Sequence, residues 1–408
     1  MVSGNAPVSY EEYLRSAVVE RASIDLFLDP KRPSWAQFDP VTGYRLANFM
    51  PRDGLGESFT ISTYRPDGAR MPHMYRDKPH RIATYGNSFT QCHQVSDGET
   101  WQEQLAAHLG EPIRNHGVGG FGVCQAYHRL VQEEQTERGA EYVVLYLWGD
   151  DHIRSLMRCR HAAIYRLYDT GGTRFHANFW ANIELNLQSG LLELRQNLLP
   201  TPQSLYRMTD PDWMVEALHD DLATRMWAYY HGWVTDLDPA AVRTLADVLR
   251  VPGHAFADPR PAREAVHELL DRYAFAATEQ LLTRAREFAN QHDKQLLVAI
   301  FDPFRAMTEI VEGKPRYDQQ IVDFLHEHEF RFFDMNPVHA SDFACYAIDF
   351  DTYMERYFVG RVGHYNPTGN HFFAHAIKPA IVDWLDPKPI TYQPSDEPWD
   401  TFADYLRT

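Results

Sequence analysis

Short strand-like segments that run into turns and then into helical patterns most constrain how this chain of 408 residues can fold. The clearest is Tyr-Val-Val-Leu-Tyr-Leu at 142–147, whose unbroken apolar character is typical of a strand buried on both faces. Other strands are predicted at 81–85, 112–115, 295–301 and 330–333. Helices are predicted at 101–109, 123–138, 262–290, 317–328 and from 366 onward. This alternation indicates an α/β fold around a parallel sheet with right-handed connections.

Two other parts of the chain do not follow this alternation. Helical spacing of apolar residues predicts a helix over 8–30, and short alternating runs predict a small β-rich module over 35–76. The segment 155–260 is rich in aromatics, prolines and glycines, which indicates an insertion. We expect an N-terminal helix and module (1–78), an α/β core (79–155 and 261–390), a pocket-shaping insertion (156–260) and a C-terminal tail (391–408).

Composition narrows the classes of partner. The formal net charge is −17, from 56 acidic residues against 39 Lys and Arg, which argues against nucleic acids and anionic membrane surfaces. No apolar run reaches the ~18 residues of a transmembrane helix, and the first 20 residues lack the pattern of a secretory signal. The four cysteines have no C-x-x-C spacing, so we expect free thiols and a cytoplasmic protein. The oligomeric state stays open.

A serine in the first turn of the predicted sheet is the leading candidate for chemistry. Gly-Asn-Ser-Phe-Thr at 86–90 places Ser88 directly after a strand, at the carboxyl edge where open α/β sheets carry their sites. A serine hydroxyl becomes a nucleophile only when a neighbouring base takes its proton. His364, just before a helix that starts at Asn366-Pro367, is the candidate base.

Four ordered blocks of the sequence resemble the SGNH (GDSL-like) hydrolase family. They are 86–90; 115–122 (Asn-His-Gly-Val-Gly-Gly-Phe-Gly) with Gln125; 148–154 (Trp-Gly-Asp-Asp-His-Ile-Arg); and 364–370 (His-Tyr-Asn-Pro-Thr-Gly-Asn). The resemblance covers about 79–155 and 294–386. It implies a flavodoxin-like three-layer α/β/α core, with Ser88 as nucleophile and His364 as base. It further implies an oxyanion hole from the N–H groups of Ser88 and Gly120, with Asp150 where the family has Asn.

The same resemblance implies an esterase that forms an acyl-enzyme. Its substrate would be a small-molecule ester, an acyl or acetyl ester of a small molecule, lipid or sugar, and no metal or organic cofactor would be needed. An O-acyltransferase with the same residues is one alternative. A non-catalytic binding module on a decayed hydrolase fold is another.

Two departures from the family pattern leave roles open. The acid that usually precedes the base by three residues is here Arg361, so either a main-chain carbonyl or another acid such as Asp349 or Asp351 must orient His364. An ionised Asp150 could not donate to an oxyanion as Asn does. Three roles for Asp150 stay open. Its side chain could point away from the oxyanion and be neutralised by a cation such as Arg154. It could be protonated and donate as Asn would, or it could replace the missing acid and orient His364.

Three other patterns carry competing interpretations. The segment 117–122 also satisfies G-x-G-x-x-G, the dinucleotide pattern, although no acid follows at the usual distance of ~20 residues. His371 and His375 have metal-ligand spacing, but Phe372 stands where zinc proteases have Glu. Aromatic clusters of the insertion either form its core or line a pocket: Phe175, Phe179 and Trp180, then Trp227, Tyr229, Tyr230 and Trp233.

Overall fold

The computed structural model describes residues 6–393 apart from 33, 177–178, 253–255, 257, 259 and 361–362. The strands are β1 (Ala36–Asp39), β2 (Gly43–Leu46), β3 (Ile82–Tyr85), β4 (Ile113–Asn115), β5 (Tyr142–Leu147), β6 (Asn182–Asn186), β7 (Leu191–Arg195), β8 (Gln295–Ile300) and β9 (Phe332–Asp334).

The helices of the first half are α1 (Tyr10–Ser16), α2 (Arg21–Leu28), α3 (Ser88–Gln91), α4 (Trp101–Leu109), α5 (Val123–Glu134), α6 (Asp151–Arg154) and α7 (Arg160–Ile164). Those of the second half are α8 (Pro211–Leu218), α9 (Leu222–Tyr230), α10 (Pro239–Val248), α11 (Arg263–Gln291), α12 (Ala306–Val311), α13 (Gln319–Glu327), α14 (Asn336–Phe343), α15 (Phe350–Tyr357) and α16 (Pro367–Trp384).

A five-stranded parallel sheet forms the centre, in the order β4-β3-β5-β8-β9. Taken in chain order this is 2-1-3-4-5, an order common in doubly wound α/β sheets. The mixed α/β class and the parallel sheet are therefore confirmed. β5 pairs with β3 on one side and with β8 on the other. Its central place explains why all six of its residues are apolar and buried.

Helices cover both faces of this sheet, and the pleat of β5 divides its side chains between two cores. Val143, Leu145 and Leu147 pack in one apolar cluster with α5, α6 and α11. Val144 and Tyr146 pack in the other, with α4, α15 and α16. Because every strand runs the same way, the loops after β3, β4, β5 and β8 emerge at one edge. The blocks singled out in the sequence lie on those loops and just before α16.

The prediction of a single helix over 8–30 is wrong. Two helices form instead: α1 starts at a capping box between Ser9 and Glu12 and ends at Ser16, and α2 begins at Arg21. α1 packs on α8, and the Tyr10 hydroxyl donates to the Leu218 carbonyl (3.1 Å). The β-rich module contains the antiparallel pair β1–β2 and isolated bridges such as Phe49 with Ser62.

The segment between β5 and β8 contains α7 to α10 and the antiparallel pair β6–β7. The long helix α11 then returns to the sheet and packs on α5, α6 and α9. Within the described residues, no helix is long and apolar enough to cross a membrane. The four cysteines are all free thiols, and Cys345 is the exposed one.

Candidate active site

Ser88 stands at the first position of α3, immediately after the turn that ends β3. Gly86 makes that turn at a φ of +153°, where a Cβ would stand 2.7 Å from the Tyr146 carbonyl oxygen. The Asn87 side chain caps α3 by accepting the Phe89 N–H (2.7 Å). These local requirements for Gly and Asn fix the position of the Ser88 hydroxyl at the carboxyl edge of the sheet.

His364 reaches the same point from the other end of the chain. Asn366 caps α16 by accepting the Gly369 N–H (2.9 Å), and Tyr365 is buried beside Phe89. This arrangement holds the imidazole of His364 so that its Nε2 lies 2.7 Å from the Ser88 Oγ. The two candidate residues, 276 positions apart, are therefore in hydrogen-bond contact.

The other nitrogen of His364 is held by Gln94, a residue that the sequence did not single out. Gln94 Oε1 lies 3.0 Å from His364 Nδ1 and 2.8 Å from the backbone N of His364. Gln94 Nε2 lies 2.9 Å from the Asp53 carbonyl oxygen. A carbonyl only accepts and a backbone N–H only donates, so the amide orientation of Gln94 is fixed.

That orientation also fixes the tautomer of His364. Because Gln94 Oε1 can only accept, His364 Nδ1 must carry the proton. In the neutral imidazole, Nε2 is then free to accept the proton of the Ser88 hydroxyl. Burial, followed by the neighbouring His93 and Arg154, lowers the pKa of His364 well below 6.5, so the imidazole is neutral at neutral pH.

A second histidine and its carboxylate partner lie beside this pair. His93 Nε2 is 3.0 Å from Asp53 Oδ2, and the ring centres of His93 and His364 are 4.9 Å apart. Burial raises the pKa of Asp53, but hydrogen bonds from His93 and Thr60 outweigh it and the net pKa is lowered. Asp53 is thus ionised and supplies negative charge near His364.

The loop after β4 brings Gly120 to the same site. Gly119 stands next to Ser88, since a Cβ on it would be 3.6 Å from the Ser88 Cβ, and its N–H donates to Gln91 Oε1 (2.8 Å). Gly120 has a φ of +87°, and a Cβ there would stand 2.8 Å from the Tyr44 hydroxyl. The backbone N–H groups of Ser88 and Gly120 have no acceptor within the described residues.

The two aspartates of the third block occupy different environments. The Asp150 side chain is half-exposed on the wall of the cavity that contains Ser88, 3.5 Å from Arg154 Nη2. Asp151 is buried and accepts from Asn87 Nδ2 and from the Trp148 N–H (3.0 Å). Asp151 therefore joins the third loop to the serine loop, and burial raises its pKa to about 7.

The group that contacts His364 Nδ1, where the family has an acid, is the side-chain amide of Gln94. Arg361 lies outside the described residues. Asp349, one of the two acids considered, instead caps α15 by accepting the Thr352 N–H (2.9 Å). Asp351, the other, is an exposed residue of the first turn of α15.

The hydrogen bonds of the glycine loop bear on the dinucleotide interpretation. The N–H groups of Gly117, Gly119 and Gly122 donate to side chains of the protein itself. They are therefore not free to bind a pyrophosphate, as that motif requires. His371 and His375 are exposed on α16, and no group of three or more potential metal ligands occurs in the part of the chain that the structure describes.

A cavity of about 890 Å³ opens from the Ser88–His364 pair. Its walls come from the N-terminal module, the core loops and the segment 156–176, together with Trp227. Of the aromatic clusters, Phe175, Phe179 and Trp180 are fully buried and pack as core. Trp227 is the member of the second cluster that lines the cavity.

The comparisons with known proteins add only distant likenesses. No family model matches the chain, and no curated protein matches it. A member of the lipolytic protein G-D-S-L family from Veillonella parvula is similar in structure, with 11% identity, a TM-score of 0.33, and coverage of 72% of this chain and 94% of its own. A protein assigned to the same family from Desulfitobacterium hafniense is similar at 10% identity and a TM-score of 0.33. That match covers 73% of this chain and 98% of the other. Scores this low carry no functional argument, so the case for function depends on the side chains of the site.

Proposed function

We propose that this protein is a serine esterase in which Ser88 is the nucleophile and His364 its general base. The observation that carries the proposal is the 2.7 Å contact between Ser88 Oγ and His364 Nε2, with Nδ1 held in the donating tautomer by Gln94. Nucleophile, base and orienting group form the chain of hydrogen bonds that activated serines require.

The first half-reaction follows from this geometry. His364 Nε2 takes the Ser88 proton as Oγ attacks the ester carbonyl carbon. The negative charge that develops on the carbonyl oxygen is received by the N–H groups of Ser88 and Gly120. Collapse of the tetrahedral intermediate transfers the proton from His364 to the leaving alcohol and leaves the acyl group on Ser88. Water then releases the acid through the same base.

The proposal assigns Gln94 the place of the acid in a Ser-His-Asp triad. A neutral amide orients the imidazole but does not neutralise the imidazolium, so its contribution is smaller than that of a carboxylate. Replacing a triad Asp by an amide is very costly chiefly because it selects the wrong tautomer. Here Asp53 and the backbone of His364 fix the amide in the orientation that selects the right one.

A screen of short-chain, long-chain and sugar acetate esters on the purified protein, with added alcohols, tests the proposal. We expect hydrolysis of at least one ester class that is lost in Ser88→Ala. Acyl products formed with the added alcohols at the expense of free acid would identify an O-acyltransferase instead. A Ser88→Ala variant that kept more than a few per cent of the activity would refute the serine mechanism.

A further inference from the structure

Beside the site lies a guanidinium that contacts no carboxylate within the part of the chain that the structure describes. Arg160, the first residue of α7, lines the same cavity as Ser88. Its guanidinium packs against the backbone of Gly120, because a Cβ on that glycine would overlap Nη1 and stand 2.8 Å from Cζ. The charge therefore lies next to the N–H that we assign to the oxyanion.

Within the described residues, no carboxylate oxygen comes within 4.0 Å of this guanidinium, and its buried Nε has no hydrogen-bond partner. Nη1 hydrogen-bonds to His176 Nε2 (3.2 Å). His176 Nδ1 lies 2.6 Å from the Arg174 carbonyl oxygen, so Nδ1 carries the proton and Nε2 accepts. Burial, followed by Arg160, lowers the pKa of His176 to about 3, so this partner is neutral.

Arg154 in the same cavity provides a direct contrast. Its guanidinium lies 3.2 Å from Asp151 Oδ1 and 3.5 Å from Asp150 Oδ2. The hydroxyl of Tyr44 faces Arg160 but is also neutral, because burial raises the pKa of Tyr44 to about 12. Of the four arginines that line the cavity (Arg52, Arg154, Arg160 and Arg174), Arg160 is the one packed against Gly120. Asp150 acts on it electrostatically, but among the described residues no carboxylate oxygen contacts its guanidinium.

A cation in a largely buried place without a carboxylate contact destabilises a protein, and an anion bound from outside would offset that cost. A guanidinium presents a planar set of donors that matches the oxygens of a carboxylate or a phosphate. With the net charge of the whole chain at −17, the general surface would not collect such anions. A local cation in the cavity can, because a partly buried pair is screened much less by salt.

We propose that Arg160 binds an anionic oxygen group, a carboxylate or a phosphate, on the substrate that Ser88 attacks. The substrate class is then a negatively charged ester. This inference rests on the proposed esterase function and makes it more specific.

Matched pairs of esters test it. One pair places the charge on the acyl side: 4-nitrophenyl adipate against the same ester with a terminal carboxamide. The other places it on the alcohol side: acetyl glycerol phosphate against acetyl glycerol. We expect kcat/KM for the charged member of at least one pair to exceed that of its neutral member by roughly 100-fold. Arg160→Gln should remove this preference, so that kcat/KM for the charged member falls to about that for the neutral member.

Arg52→Gln is the matched control. Arg52 also lines the cavity, but its side chain is 63% exposed and lies 3.5 Å from Glu57. Its removal should leave the preference within about twofold. Arg160→Lys keeps the charge without the planar donors and should retain an intermediate preference. Arg160→Gln removes a charge that no carboxylate contacts, so the unfolding temperature of this variant should equal or exceed that of the wild type. If Arg160 instead had a structural role, the substitution would lower the unfolding temperature.

Binding separates the inference from the proposed function. In Ser88→Ala, which cannot turn over, calorimetry should detect adipate monoamide or glycerol phosphate, and the added Arg160→Gln should abolish that binding. Hydrolysis of the neutral esters without a charge preference would overturn the inference and leave the esterase intact. Equal slowing of both members by Arg160→Gln would also overturn it, since Arg160 would then act on the oxyanion. Anion binding that depends on Arg160 without any turnover would support the anion site and count against the esterase.

Discussion

Gln94 gives the sharpest single test of the catalytic geometry. Gln94→Leu removes the acceptor of both the backbone N–H and the Nδ1–H of His364. The imidazole is then free to adopt the other tautomer, in which Nε2 carries the proton and cannot act as base toward Ser88. A full tautomer error costs ~10⁴ in kcat in a Ser-His-Asp site, and a mixed population costs less. We expect a loss in kcat of roughly 10²–10³ with little change in KM.

The conservative variant Gln94→Glu separates orientation from packing. A carboxylate still accepts both N–H groups of His364, so we expect it to keep much of the activity that Gln94→Leu loses. The new negative charge also raises the pKa of His364, which burial holds well below 6.5 in the wild type. The active form is the neutral base, so wild-type kcat/KM should stay level down to well below pH 6.5. In Gln94→Glu the acid limb should move to higher pH.

Steady-state kinetics of the three proteins between pH 4 and 9 provide the assay, with circular dichroism as the check on folding. If folded Gln94→Leu kept kcat within threefold of the wild type, the tautomer argument would be wrong. An acid limb that stayed at the same pH in Gln94→Glu would mean that residue 94 does not contact His364 Nδ1.

Three further changes have distinct expected outcomes. Asp150→Asn should leave kcat within about tenfold or raise it, because the Asp150 side chain is half-exposed near Arg154; a thousandfold loss at every pH between 5 and 9 would contradict this. The free energy of unfolding of the wild type, from thermal and urea unfolding, should fall by up to a few kcal/mol as pH rises from about 4 to 7. The reason is that the pKa of Asp151 is raised to about 7 in the folded protein, so the unfolded chain loses this proton at lower pH than the folded one. Asp151→Asn should flatten that dependence, and an unchanged profile would show that Asp151 is not buried as described. Gly120→Ala should lower kcat by at least tenfold, because φ is +87° and the methyl group would displace Arg160; an unaffected rate would remove Gly120 from the oxyanion site.

The parts of the fold that follow from local patterns were the ones the sequence could predict. β5 is a run of six apolar residues and occupies the centre of the sheet, as such runs do in parallel sheets. The end of α1 was missed because the apolar spacing continues from α1 into α2 although the backbone hydrogen bonds do not. A capping box at Ser9 was the available signal for where the first helix starts.

The site divides in the same way. Ser88 and His364 stand in blocks with recognisable neighbours, and the structure brings their side chains together. Gln94 and Arg160 belong to no motif. Their roles depend on their surroundings in the folded chain. Gln94 contacts His364 across 270 positions, and among the described residues no carboxylate oxygen lies within 4.0 Å of the Arg160 guanidinium. The assignment of the oxyanion hole to Ser88, Gly120 and Asp150 stays a prediction, which the kinetics of the Asp150 and Gly120 variants test.

Covalent labelling by a fluorophosphonate tests the central claim most directly, because it requires an activated serine but no knowledge of the substrate. After brief exposure of the full chain at neutral pH, mass spectrometry should find one adduct, on the peptide that contains Ser88. His364→Ala should lower the labelling rate by at least a hundredfold, since Ser88 would then lack its base. No adduct on Ser88, or one that forms equally fast in His364→Ala, would contradict the account.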